Sequence, residues 1–204
     1  FQEFIRALYA AARKTGRSLV LRDYNYVDYF GVPFADPQRS PSLLTALRPA
    51  FEIKSAVLVR HPLRQYDSLR SHRSAGTVLT PQIYLEGYLA FLNDFESSYF
   101  IKYEDIIATP FESIVGLCAF LDLTYPDDFL DRFPEYYSVT GNLARQEDPT
   151  ISYSLWEPEV DEWRAQLLEH PLYHALVVRL GYADQEAERR PALPPTRVNT
   201  PKRI

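Results

Sequence analysis

The sequence has no methionine and a single cysteine, Cys118. One cysteine cannot close an intrachain disulfide or build a cysteine-rich zinc site. A reducing, cytoplasmic setting is the expectation that follows. Glycine is scarce, at 7 of 204 residues, which leaves little material for a glycine-rich phosphate loop. No run of about 18 apolar residues occurs and no signal-peptide pattern opens the chain, so no membrane span is expected. Basic residues are outnumbered, with a formal net charge of −5. That argues against sequence-independent nucleic-acid binding, which needs a broad basic face. A local basic pocket for a small anion is compatible with it.

What the chain does have is aromatic bulk: 15 Tyr, 12 Phe and 2 Trp. With 46% hydrophobic and 24% charged residues, it has the balance of a soluble globular protein. Its length suits one α/β domain or most of one. The expected domain runs over 1–182, followed by a proline-containing basic tail at 183–204 (Pro191, Pro194, Pro195, Pro201) that packs loosely.

The opening residues are already in helical phase. Phe1, Phe4, Ile5, Leu8, Tyr9 and Ala12 recur at helical spacing and share one face. Together with the missing methionine, this leads to the expectation that further residues precede Phe1. Ser18–Leu21 reads as a short buried strand ending at Arg22-Asp23, with an aromatic loop, YNYVDYFGVPF, after it. Ser42–Leu47 reads as a short helix. Ser55–Val59 is the clearest strand; it runs into Arg60-His61-Pro62 and a helix to about His72. Thr80 and Pro81 fit the N-cap and first position of a helix reaching about Phe95, with Leu85, Tyr88, Leu89 and Leu92 as its packed face. Tyr99–Tyr103 is a third strand. A helix from about Pro110 follows, with Ile114, Leu117, Cys118 and Leu121 on one face. Helices are expected over roughly 126–136, 158–169 and 171–180.

Strands alternating with helices predict a parallel sheet. Ligands of such sheets bind beyond the carboxyl ends of the strands. Attention therefore falls on Arg22-Asp23, Arg60-His61-Pro62 and Tyr103-Glu104-Asp105. In VLVRHPLRQYDSLRSHR a strand ends in Arg60, Pro62 opens a helix, and Ser68 lies eight residues past the arginine. A guanidinium fork, a helix N-terminus and a helix hydroxyl make an anion site. The plain alternative is an arginine that caps a strand and an ordinary helix serine.

Arg-x-Pro-x5-Ser after an apolar strand resembles the 3′-phosphate-binding motif of the sulfotransferases that use 3′-phosphoadenosine 5′-phosphosulfate. YFIKYEDIIATPFESIVGLCAFLDL resembles the block that follows it in that family, with Asp122 where the family has a glycine. The resemblance implies an α/β fold with a P-loop-NTPase-like parallel sheet flanked by helices. It implies that Arg60 and Ser68 hold the donor's 3′-phosphate and that Tyr103 reaches toward the adenine. Thr140–Arg145 resembles the family's late glycine-and-basic loop, so Gly141, Asn142 and Arg145 would also meet the donor. LVLRDYNYVDYFG resembles the acceptor side of the site, with Tyr24 and Tyr26 where histidines are common. Transfer to a hydroxyl wants a base near the working pH. Asp23 or Asp28 would serve if burial raised its pKa; Arg22 would stabilise developing charge; the role of Tyr24 stays open beside them. The tyrosines equally fit an aromatic pocket for a small-molecule or carbohydrate acceptor.

The family's strand–loop–helix for the 5′-phosphosulfate has no counterpart in this sequence. Lys14-Thr15-Gly16-Arg17-Ser18 precedes a strand where such a loop must follow one. The missing N-terminal strand, loop and lysine are expected in roughly 20 to 60 further residues. His170 and His174 stand four apart, but no ligand cluster surrounds them, so no metal is expected. Two other readings stay open: a P-loop small-molecule kinase, and a nucleotide-binding module that has lost its catalytic base.

Overall fold

The computed structural model describes residues 1–32, 36–71, 79–132 and 162–182. In chain order come α1 (Gln2–Lys14), α2 (Tyr26–Phe30), α3 (Ser42–Leu47), β1 (Ala56–Val59), α4 (Pro62–Ser71) and α5 (Pro81–Asp94). They are followed by β2 (Tyr99–Lys102), α6 (Tyr103–Ala108), α7 (Pro110–Phe120), α8 (Phe129–Arg132), α9 (Glu162–Glu169) and α10 (Pro171–Arg179). The architecture is mixed α/β with a small parallel sheet. β1 and β2 pair in register Ala56↔Tyr99 through Val59↔Lys102. The crossover between them contains α4 and α5, as a parallel connection requires.

α5 is the central element, and its ends follow from sequence. Thr80 Oγ1 accepts the Ile83 N–H at 3.2 Å, and Pro81 opens the first turn. Tyr84, Leu85, Tyr88 and Leu92 are buried along it. They meet Tyr29 and Phe30 from α2, Tyr66 and Leu69 from α4, Leu167 from α9, and Tyr173, Leu176 and Val177 from α10 in one core. Tyrosine is the characteristic core residue: Tyr29, Tyr66, Tyr84, Tyr88, Tyr173 and Tyr182 are fully buried. A buried hydroxyl needs a partner. Tyr29 donates to Asp94 at 2.7 Å and Tyr84 to the Pro62 carbonyl at 2.7 Å.

The structure departs from the sequence expectations at several places. Ser18–Leu21 forms no strand; Val20 and Leu21 are exposed, and among the described residues the sheet has two strands, not three. An apolar run becomes a strand only in a ladder, and no described strand pairs with it. The aromatic loop contains a helical turn, α2, closed by Gly31 at φ 70°. β2 stops at Lys102, and Tyr103 opens α6 instead of ending the strand. On the apolar face of α1 only Ile5 is buried; Phe4 and Leu8 are exposed, and Tyr9 meets Phe51 edge-on at 5.8 Å. The periodicity set the helix, but no described layer covers that face. Of the helix expected over 126–136 the described residues carry only α8, and 158–161 lie outside them. Asp122, at the family's glycine position, has φ 55°, a left-handed conformation that asparagine and aspartate tolerate best after glycine. Its carboxylate pairs with Lys54.

Gly87 sets how closely α2 approaches α5. A Cβ there would lie 2.2 Å from the Tyr29 carbonyl oxygen and 2.7 Å from the Phe30 ring. Alanine gains about 1 kcal/mol of helix propensity over glycine, but overpacking against a backbone carbonyl costs about 1–3 kcal/mol or more. The clash wins, because relieving it means shifting all of α2. Gly87→Ala is expected to lower the midpoint of chemical denaturation; an unchanged or higher midpoint would refute this packing.

Candidate functional site

The candidate site is built on the turn where β1 becomes α4. Past Val59 the backbone has no ladder partner, so its polar groups must find others. Tyr88, one helix away on α5, supplies two. Its hydroxyl accepts the Arg60 N–H at 3.3 Å and donates to the Arg60 carbonyl at 2.8 Å. Glu104, in the first turn of α6, accepts the His61 N–H at 3.1 Å. The His61 carbonyl accepts the Gln65 N–H at 2.9 Å, and the Pro62 carbonyl accepts the Tyr84 hydroxyl. Proline has no N–H, so every backbone polar group of Arg60-His61-Pro62 is satisfied.

On this fixed turn the Arg60 side chain is half-buried. Its guanidinium lies over the Tyr103 ring at 4.6 Å, a cation–π contact that leaves the charge uncancelled. Its Nε is buried and has no hydrogen-bond partner among the described residues. A buried guanidinium N–H without a partner is costly, and an oxyanion presented to the fork would satisfy it. Arg60 and Tyr103, picked separately from the sequence, are thus brought together. Ser68 is on the exposed side of α4. Gly141, Asn142 and Arg145 lie outside the described residues.

His61 is buried and packs edge-on against Tyr182 with ring centroids 5.0 Å apart. Its N–H is also taken by a carboxylate, so this backbone group is not available to an anion at the start of α4.

The second group lies before and within α2. The Arg22 guanidinium covers the Tyr24 ring at 4.5 Å. Partial removal from water pushes the Asp23 carboxyl up from its ordinary value; the Tyr24 N–H pulls it back and the Asp28 charge adds to the rise. Asp28 itself accepts from the N–H and hydroxyl of Ser42, each at 2.9 Å, which ties α2 to α3. Burial raises the Tyr26 hydroxyl; the Arg22 charge opposes, Tyr24 adds, and the Arg60 charge opposes. The charges of both arginines thus act on the Tyr26 hydroxyl.

The sequence reading missed Tyr88 and Tyr182 as parts of this site, and it named Glu104 only by its place after the second block's strand, not as the partner of His61. Tyr84 and Tyr88, four apart on a helix, do share a face, and buried tyrosines do need partners. No sequence rule says which turn they reach. His170 caps α10: its Nδ1 accepts the Leu172 N–H at 3.1 Å and its Nε2 meets Gln82 Oε1 at 2.8 Å. Among the described residues no group of three or more ligand-type side chains could hold a metal ion. Among them, too, no helix is long and apolar enough to cross a membrane. A groove of about 660 Å³, lined by residues of α9 and of the starts of α5 and α10, shares no lining residue with the strand-end cluster.

Comparison with solved structures finds a sulfotransferase domain from the curacin biosynthetic pathway, with a TM-score of 0.54 and 20% identity. The match covers 87% of this chain and 68% of that one. The likeness is one of fold. No family model matches the chain, and no curated protein matches it.

The turn depends on the Tyr88 hydroxyl. In Tyr88→Phe the ring still fills its space, but the N–H and carbonyl of Arg60 lose their partner. The expected loss is about 1–3 kcal/mol, read by urea denaturation. Tyr9→Phe, at an exposed ring, is the control and should stay within about 0.5 kcal/mol.

Proposed function

We propose that the protein is a sulfotransferase that takes a sulfuryl group from 3′-phosphoadenosine 5′-phosphosulfate and moves it to a hydroxyl or amine acceptor. The observation that carries this reading is Arg60: a half-buried guanidinium at a strand's carboxyl end which, among the described residues, has no ion-pair partner and no hydrogen-bond partner for its buried Nε. The sulfotransferase-like fold and the Arg-x-Pro-x5-Ser pattern support it. The 3′-phosphate would lie against the Arg60 fork, with Ser68 as a further donor and Tyr103 beside the adenine. Gly141, Asn142 and Arg145 are proposed to close over the same phosphate.

In the transfer, the acceptor oxygen forms a bond to sulfur as the bond from sulfur to the donor's phosphate oxygen breaks. Adenosine 3′,5′-bisphosphate leaves. The acceptor proton must go to a base. Asp23 takes that role in this reading, since a raised carboxyl accepts a proton better than an ordinary one. Arg22 would stabilise charge on the group in transit. Tyr24 and Tyr26 offer ring faces to an aromatic, apolar or sugar-like small acceptor.

The test is calorimetric titration with adenosine 3′,5′-bisphosphate beside 5′-AMP. The unaltered protein should prefer the bisphosphate, and Arg60→Ala should lose about 10²-fold of that preference, as expected for removing one partner of a desolvated charge pair. If neither nucleotide binds, the donor site is wrong and Arg60 only caps a strand. On the acceptor side, Asp23→Asn should lower turnover about 10²–10⁴-fold with little change in bisphosphate affinity. Unchanged turnover would remove Asp23 from the base role.

A further inference from the structure

The peptide plane between Arg60 and His61 is held at both edges. Its carbonyl accepts from Tyr88 at 2.8 Å and its N–H donates to Glu104 Oε1 at 3.1 Å. A peptide gripped on opposite edges cannot rotate, so ψ of Arg60 is fixed. The Arg60 N–H, also on Tyr88, fixes φ. Together they set the direction in which the Arg60 side chain leaves the backbone.

Glu104 is itself held. Its Oε2 accepts the Tyr182 hydroxyl at 2.7 Å. Tyr182 follows α10 and is fully buried, 78 residues from its partner in sequence. His61 packs edge-on against its ring. Lys102 Nζ lies over the ring at 4.6 Å and donates to the Gly181 carbonyl at 3.3 Å. Burial, and then the bond to Glu104, push the Tyr182 hydroxyl well above its ordinary value. It stays protonated and donates. Both carboxylate oxygens of Glu104 are thus used on donors of the frame, and it makes no ion pair with Arg60 among the described residues.

We propose that Glu104 and Tyr182 are positioning residues for the donor site: through the Arg60–His61 peptide they hold the Arg60 guanidinium in the single orientation that meets the 3′-phosphate. The inference rests on the sulfotransferase reading for its ligand, but not for its geometry. The residues act through Arg60 and touch no substrate.

Two measurements on the full chain separate this role from general structural support. Tyr182→Phe keeps the ring and removes the hydroxyl; Glu104→Gln keeps the shape and one acceptor oxygen. Each should reduce the preference for adenosine 3′,5′-bisphosphate over 5′-AMP about five- to tenfold. In an Arg60→Ala background the same changes should leave the preference unaltered, because the coupled residue is gone. Amide hydrogen exchange at Arg60 and His61 should be faster in both variants, with or without nucleotide. Equal weakening of both nucleotides would overturn the proposal in favour of a merely structural role. So would unchanged exchange at this turn. If the unaltered protein shows no preference for the bisphosphate, the donor-site reading fails, and the exchange data still decide whether the clamp exists.

Discussion

The structure around the strand ends depends on one requirement: the backbone that leaves β1 must satisfy its polar groups without a sheet. A strand of four residues gives little ladder, and the chain turns into α4 within three residues. An unmade hydrogen bond on a buried peptide costs about 1–3 kcal/mol, which is a large share of the stability of an ordinary domain. Tyr88, Tyr84 and Glu104 remove that cost from two elements at once: two tyrosines on α5, and a carboxylate on α6. The turn is therefore rigid because its surroundings are packed, not because its own sequence is stiff.

This explains why the core is built from tyrosine where leucine would bury as well. A tyrosine combines a large apolar ring with a polar tip. The ring faces of Tyr84 and Tyr88 pack on each other and on Phe30, Tyr66 and Phe91, so burial holds the rings while the hydroxyls reach the turn. Gly87, between them in the helix, lets α2 approach to backbone contact. The same short stretch of α5 thus sets both the Arg60 turn and the seat of α2, which carries Tyr26. That is a physical reason for the two groups of site residues to hold a constant relation.

The legible parts of the sequence were those decided locally. Thr80-Pro81 marked the start of α5, Ser42–Leu47 gave α3, and the alternation of β1, helices and β2 gave a parallel pair. Ser18–Leu21 misled because an apolar run says nothing about whether a partner strand is present. Tyr26–Phe30 and Tyr103–Ala108 are helices of five and six residues, short enough that no periodicity marked them off from the apolar run or strand read at those places. The charged residues of the candidate site were named from the sequence; their supports were not. Arg60, Tyr103, Arg22 and Asp23 were picked as ends of expected strands; of these, Arg60 follows β1 directly, Tyr103 opens α6, and Arg22 and Asp23 follow no strand among the described residues. Tyr88 and Tyr182 could be named only as core residues, because their partners lie 28 and 78 residues away. Non-local side-chain to backbone bonds leave no pattern in one sequence.

The support also determines the electrostatics. A half-buried arginine is usually neutralised by a carboxylate, and one stands nearby in Glu104. Its two oxygens are instead given to a peptide N–H and a phenol, neither of which carries charge. Arg60 is stabilised by the face of Tyr103, an interaction worth about 0.5–2 kcal/mol that does not cancel its charge. An ion pair there would compete directly with any anionic ligand, and breaking it on binding would cost much of the affinity gained. By using the carboxylate to hold the backbone and an aromatic ring to hold the guanidinium, the described residues keep a positive charge in place without neutralising it. In a protein whose formal net charge is −5, that local arrangement, rather than overall charge, is what gives this turn its positive character, on which the proposed donor site rests.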